Sequence, residues 1–345
     1  MNTTRIVTII CWCISAIALL ALAAWFVFAS PMAATGWGRI FGSNWVIGTS
    51  IESLTGPYNI VGKQNISPSS INSIEVDWIS GSITVKPHDG GDIIITEFAQ
   101  RELNENEKMY VITSGNNITV KYTEHRRVGR MPSKRLEIQV PMALSSFYLD
   151  RLIVDTTSGV TTLTDLVVTK VDINSTSGGV TASNITADSF VIDGTSGAIN
   201  ISDTTANKLS TNITSGAQNI SGTFNDVRVD GTSGRLILDN KANSSTLFVS
   251  ITSGTQDMTG SFLKADIHST SGTITFTSSR VPESLRINNT SGNINVAIPN
   301  EGAISLNHSS TSGRFSSDIP VIMQNREAQF RISSTSGNLT ITEYK

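Results

Sequence analysis

The residues best placed to do chemistry form a column, not a cluster. Asp155, Asn174, Asp193, Asn212, Asp230, Ser250, His268, Asn288, Ser309 and Ser333 each stand four positions before a glycine, and Asp77 stands likewise before Gly81. Such a column could be a carboxylate ladder for cations or sugars. If successive members sit one strand spacing apart, Asp155, Asp193 and Asp230 fall roughly 10 Å from one another. That is too far to share a calcium ion, which gathers its oxygen ligands at about 2.3–2.6 Å. Asp, Asn and Ser side chains also close turns by bonding nearby backbone, and the column is read in that way. His88, His125, His268 and His308 are scattered, and no repeat gathers acids as a polysaccharide-cleaving groove requires. The expectation is a protein that is not an enzyme, with no catalytic residue, metal or cofactor.

One run concentrates positive charge, from His125 to Arg135. Within it Arg126, Arg127, Arg130, Lys134 and Arg135 are the candidates for an anionic surface such as lipid headgroups or teichoic-type polymers. The alternative is a solvated loop between two strands. The chain as a whole carries a formal net charge of −3 with 15% charged residues, unlike the basic face of a nucleic-acid binder.

These side chains hang on a repeat. The tripeptide Thr-Ser-Gly ends at Gly159, Gly178, Gly197, Gly216, Gly234, Gly254, Gly272, Gly292, Gly313 and Gly337, at intervals close to 19 residues that widen to 21 and 24 at the end. Before a glycine, apolar residues alternate with polar ones, as in Phe190 and Ile192; after it the alternation resumes with changed parity, as in Ile199 and Ile201. Alternation marks a strand with one buried face, and the parity change marks a corner where glycine can take positive φ. The predicted fold is all-β: a parallel β-solenoid of about ten coils of ~19 residues, two short strands each, in which every coil covers its neighbour.

Two coils depart from the template in parallel. Gln218 and Gln256 replace an apolar residue two after the glycine, while Ile213 and Ile251 stand three before it. The isoleucines are expected to fill the space the glutamines leave, with each buried amide satisfied by backbone at the return turn. Thr211 and His308 interrupt the apolar column five before the glycine.

Ile6 to Ala29 is an uncharged apolar stretch, long enough to cross a hydrocarbon core of about 30 Å as one helix. Arg5 precedes it, which places the N-terminus inside and the repeats outside. Cys11 and Cys13, the only cysteines, lie within it, so the folded part has no disulfide. The organisation is therefore a membrane anchor at 1–30, a juxtamembrane linker at 31–66, a strand-rich cap with a degenerate first coil at 67–150, and the repeat solenoid at 151–345. The Ser80-Gly81 corner with Ile83 and Val85 marks that first coil. A cap suits an end that would otherwise be an unpaired edge.

The membrane segment, the Ile74-to-Val85 opening, the strand Leu136-Glu-Ile-Gln-Val-Pro141 and the repeated apolar-x-apolar-x-x-Thr-Ser-Gly unit together resemble the β-strand-repeat family of unknown function labelled "putative adhesin", which includes proteins of Lia-type envelope-stress systems. The resemblance covers roughly residues 70 to 345. It implies an envelope-associated, extracytoplasmic, non-enzymatic binding or scaffolding module on a single-pass anchor in the cell membrane. Its partners would be the membrane through residues 6–29 and a cell-wall polymer, glycan or envelope protein, and not nucleic acid. The readings set against it are a polysaccharide-acting solenoid enzyme and a cytoplasm-facing sensor or polymerising scaffold.

Overall fold

The computed structural model describes residues 51–52, 57–124, 131–142, 149–324 and 328–344. The expected anchor at 6–29 lies outside them, as do Arg126, Arg127 and Arg130. Among the described residues no helix is long and apolar enough to cross a membrane.

The repeats build an all-β parallel solenoid. Val180–Ser196 lies between 161–177 and 199–215, paired in parallel with both, each partner offset by one repeat. Identical template positions therefore stack: Phe190 lies between Val171 and Leu209, and Ile192 between Ile173 and Thr211. Phe190, Ile192, Ile199 and Ile201 are buried. Full burial of an aliphatic or aromatic side chain contributes about 1.5–3 kcal/mol, and only the neighbouring coils can supply it.

The corner glycines are required twice over. From Gly159 to Gly337 they have φ between +120° and +153°. A Cβ at Gly197 would also lie 1.9 Å from the Gly178 carbonyl oxygen, and the same approach recurs along the column. Backbone this close, in a conformation L-residues avoid, admits only glycine.

Two short strands per coil is the pattern only of the C-terminal coils. There Ile274–Ser278 and Ser284–Ser291 are separate, as are Ile294–Ile298 and Ile304–Ser312, with Pro282 and Pro299 between them; proline lacks the N–H that would continue the ladder. In earlier coils the pairing runs on from one corner to the next, as in Ile199–Ser215. In three of these coils the return bend is made inside the ladder by Asp165, Asn184 and Asp203, each at φ near +50°, the left-handed region Asx residues tolerate. Asn184 Nδ2 donates to Asp165 Oδ1 at 2.7 Å across that bend.

At the N-terminal end Ser73–His88 is in register with the 151–163 stretch. Its other side is covered by Asn117–Lys121 and Lys134–Pro141, both parallel to it. Ile93–Ala99 then pairs antiparallel with Lys134–Pro141, and Asn59–Ile66 antiparallel with Ile93–Ala99. Asn59–Ile66 thus belongs to the cap, although its composition reads as linker.

The C-terminal end departs from chain order. Ser284–Ser291 pairs with Phe330–Ser336, which pairs in turn with Ile304–Ser312; Leu339–Glu343 lies likewise between Ile294–Ile298 and Phe315–Ser317. The last coil in sequence is therefore the penultimate level in space. The corner glycines stack as Gly272, Gly292, Gly337, Gly313, and Val321–Met323 pairs onto the start of Ile304–Ser312.

Candidate functional site

Several members of the polar column before the corners find their partners in neighbouring coils. Asn174 Nδ2 donates to Asp155 Oδ1 at 2.8 Å, Ser333 Oγ donates to Asn288 Oδ1 at 2.7 Å, and Asn288 Nδ2 lies 3.3 Å from His268 Nδ1. In-register stacking brings like positions of successive coils within reach of one another. Carboxylates on this face are also engaged within a strand or by the next coil. Asp172 lies between Arg151 at 3.9 Å and Lys170 at 3.6 Å, Asp230 is 2.6 Å from Arg228 Nε, and Asp226 accepts from Thr246 at 2.8 Å.

The two glutamine coils resolve differently from expectation. Thr211 Oγ1 donates to Gln218 Oε1 at 2.6 Å, so two departures from the template satisfy each other inside the core. Gln256 Nε2 reaches the Ile251 carbonyl before the corner, at 3.4 Å, and not the return turn. Room for the isoleucines comes from glycine in the preceding coil: Ile213 Cδ1 would be 2.7 Å from a Cβ on Gly194, and Ile251 packs over Gly231. His308, the other interruption, stacks on Phe315 with ring centroids 5.4 Å apart, and burial lowers its pKa.

Of the basic candidates, Lys134 is not at the surface. It is 0% exposed, with Nζ 2.6 Å from Glu97 Oε1 and 2.8 Å from the Glu107 carbonyl, and it also donates to the Tyr122 carbonyl. The ammonium lies 3.9 Å from the Tyr122 ring centroid and 5.0 Å from that of Trp78. Lys134 is the register partner of Gly81, at the end of the glycine column, where a side chain meets no further corner and folds into the core instead. Burial pulls its pKa down to about 8, against the opposing pull of Glu97. Arg135 is exposed, with its guanidinium 3.8 Å from the Tyr58 ring centroid.

A concave feature sits elsewhere on the outward face, on the column six before the glycines. There Arg228, Phe248, Asp266, Arg286, Arg331 and Asn307 follow one another in register. A cavity of about 510 Å³ is lined by Phe248 and Asp266 and by Arg286 and Arg331, with Asp226 and Lys264 also on its lining. A second depression of about 170 Å³ lies on the other side of the arginines, lined by Asn288, Asn307 and Ser333. The Arg228 guanidinium covers Phe248 at 4.1 Å from its centroid, and His268 Nε2 is 2.9 Å from Asp266 Oδ1. Sequence reasoning missed this groove because Arg286 and Arg331 belong to coils that are not consecutive in the chain. Among the described residues no group of three or more His, Cys, Asp or Glu side chains could hold a metal ion.

The Toastrack DUF4097 family matches residues 71–226 and 222–342. No curated protein matches the chain. Among solved structures, a "putative lipid binding protein" from Parabacteroides distasonis superimposes with a TM-score of 0.47 at 12% identity, covering 86% of this chain and 100% of that one. A "putative adhesin" from Bacteroides fragilis gives 0.34 at 12% identity, covering 84% and 98%.

Proposed function

The chain belongs to the Toastrack DUF4097 family, and from that premise we propose that it is a non-enzymatic binding or scaffolding module of the cell envelope, held by a membrane anchor at residues 6–29 with the solenoid on the extracytoplasmic side. The observation that carries this reading is how the outward carboxylates are used. Asp155, Asp172 and Asp230 are each tied to a neighbour on the same face, so they stiffen a surface. General acid–base work needs instead a pair poised on one bond. The concave part of that surface, beside Phe248 and Arg286, offers polar and apolar contact together, as binding sites do.

The test uses the full-length protein in detergent micelles against cell-wall polymers, glycans and anionic vesicles, with product analysis in parallel. Saturable binding of one polymer class without cleavage is the expected result. Release of shortened chains would overturn the non-enzymatic reading in favour of a polysaccharide-acting enzyme. Protease protection of residues 57–345 in sealed, right-side-out cells would contradict the extracytoplasmic placement and favour a cytoplasm-facing scaffold.

A further inference from the structure

Some basic residues on the side face have an ion-pair partner, while others, Lys208, Arg235 and Lys264, have none among the described residues. Asp172 serves Arg151 and Lys170, and Asp230 serves Arg228. Arg286 and Arg331 are set apart by their stacking. They are in-register neighbours, about 4.8 Å apart at the strand spacing. Both are exposed, and neither has an ion-pair partner among the described residues. The next carboxylate in the column, Asp266, is the register partner of Arg286 and makes no ion pair with it, its Oδ1 lying 2.9 Å from His268 Nε2. Like charges directly opposite one another on a sheet are destabilising, and an anion held between them removes the repulsion. The juxtaposition is a product of topology. Stacking in chain order would set Asn307 on Arg286, and the inserted Gly337 coil sets Arg331 there instead.

We infer that Arg286 and Arg331 form a fork for the carboxylate of an acidic polysaccharide, the sugar ring lying in the cavity toward Phe248 and its hydroxyls meeting the polar rows on either side. This rests on the binding-module reading above. Guanidinium groups bind carboxylates through paired, planar N–H donors. Asp226, Asp230 and Asp266 stand on the same face, so a broad anionic membrane would be repelled where a single polymer strand can pass between them.

The experiment is calorimetric titration of the full-length protein in detergent micelles with sodium polygalacturonate, neutral dextran and inorganic polyphosphate. The inference predicts polygalacturonate binding that weakens with added salt and falls about tenfold or more in Arg286→Gln/Arg331→Gln, while Arg151→Gln stays within about twofold. Polygalacturonate binding that survives the double substitution, or a preference for polyphosphate or dextran, would overturn the carboxylate fork and leave a binding module standing. Binding of none of the three, with none of any other wall polymer or glycan, would end both readings.

Discussion

Lys134 and its surroundings set the residue-scale chemistry of the cap. Its ammonium is fully buried against Glu97, and removing one partner of such a pair costs about 3 kcal/mol or more, whereas removing both is often neutral. Lys134→Met is therefore expected to lower unfolding stability by about 3 kcal/mol, and Glu97→Gln/Lys134→Met to regain most of it, measured by urea denaturation. The pH dependence has a definite sign. Lys134 titrates at about 8 folded, against 10.5 for an unperturbed lysine, so between these values the unfolded chain binds more protons and stability rises with pH. Tyr122 works the other way: burial pushes its pKa from 10.0 up to about 12, and stability falls across that interval. At the acid end the Arg101 guanidinium holds Glu107 down at about 2, from 4.5, so its contribution is lost as pH falls through that range. The thermal midpoint should climb from pH 8 toward 10 in the native chain and lose that climb in Lys134→Met; an unchanged alkaline profile would contradict the buried-charge account. A lysine in a basic run reads from sequence as solvated, because nothing local signals that it ends a column of glycines.

At the scale of the coil, glycine governs whether neighbours can stack. Gly197 and Gly302 have similar φ, +133° and +126°, but an added Cβ at Gly197 strikes the Gly178 carbonyl while one at Gly302 meets open space. Gly302→Ala should cost about 1–2 kcal/mol for backbone strain alone. Gly197→Ala adds a clash that only backbone displacement relieves and should cost at least about 3 kcal/mol, read from denaturation midpoints. Equal effects would mean that the corner is not a close approach of backbones. The corner, the strand faces and the degenerate first coil at Gly81 were legible because apolar alternation and the glycine spacing are local. The return bend was not, since Asp165, Asn184 and Asp203 look like any other polar loop residues. Nor was the Thr211–Gln218 bond, which joins two departures that alternation alone treats as separate faults.

Across the whole molecule, the order of the last coils decides what the side face presents. The widened intervals before Gly313 and Gly337 announced an irregular end, but composition cannot say that a later coil is laid beneath an earlier one. That arrangement makes the Arg286–Arg331 pair, and with it the proposed anion fork. It also predicts a specific proximity, since Ser336 Oγ lies 3.4 Å from Ser291 Oγ and Ser336 pairs with both Ser291 and Ser312. Ser291 and Ser312 are then two levels apart, about 9.6 Å by strand spacing, beyond the roughly 4.4–6.8 Å Cα separation a disulfide spans. With Cys11 and Cys13, the only native cysteines, replaced by serine, the decisive measurement is oxidative cross-linking of two engineered pairs. Disulfide formation in Ser291→Cys/Ser336→Cys but not in Ser291→Cys/Ser312→Cys is the predicted result; the reverse would mean that the coils stack in chain order and that the arginine fork does not exist.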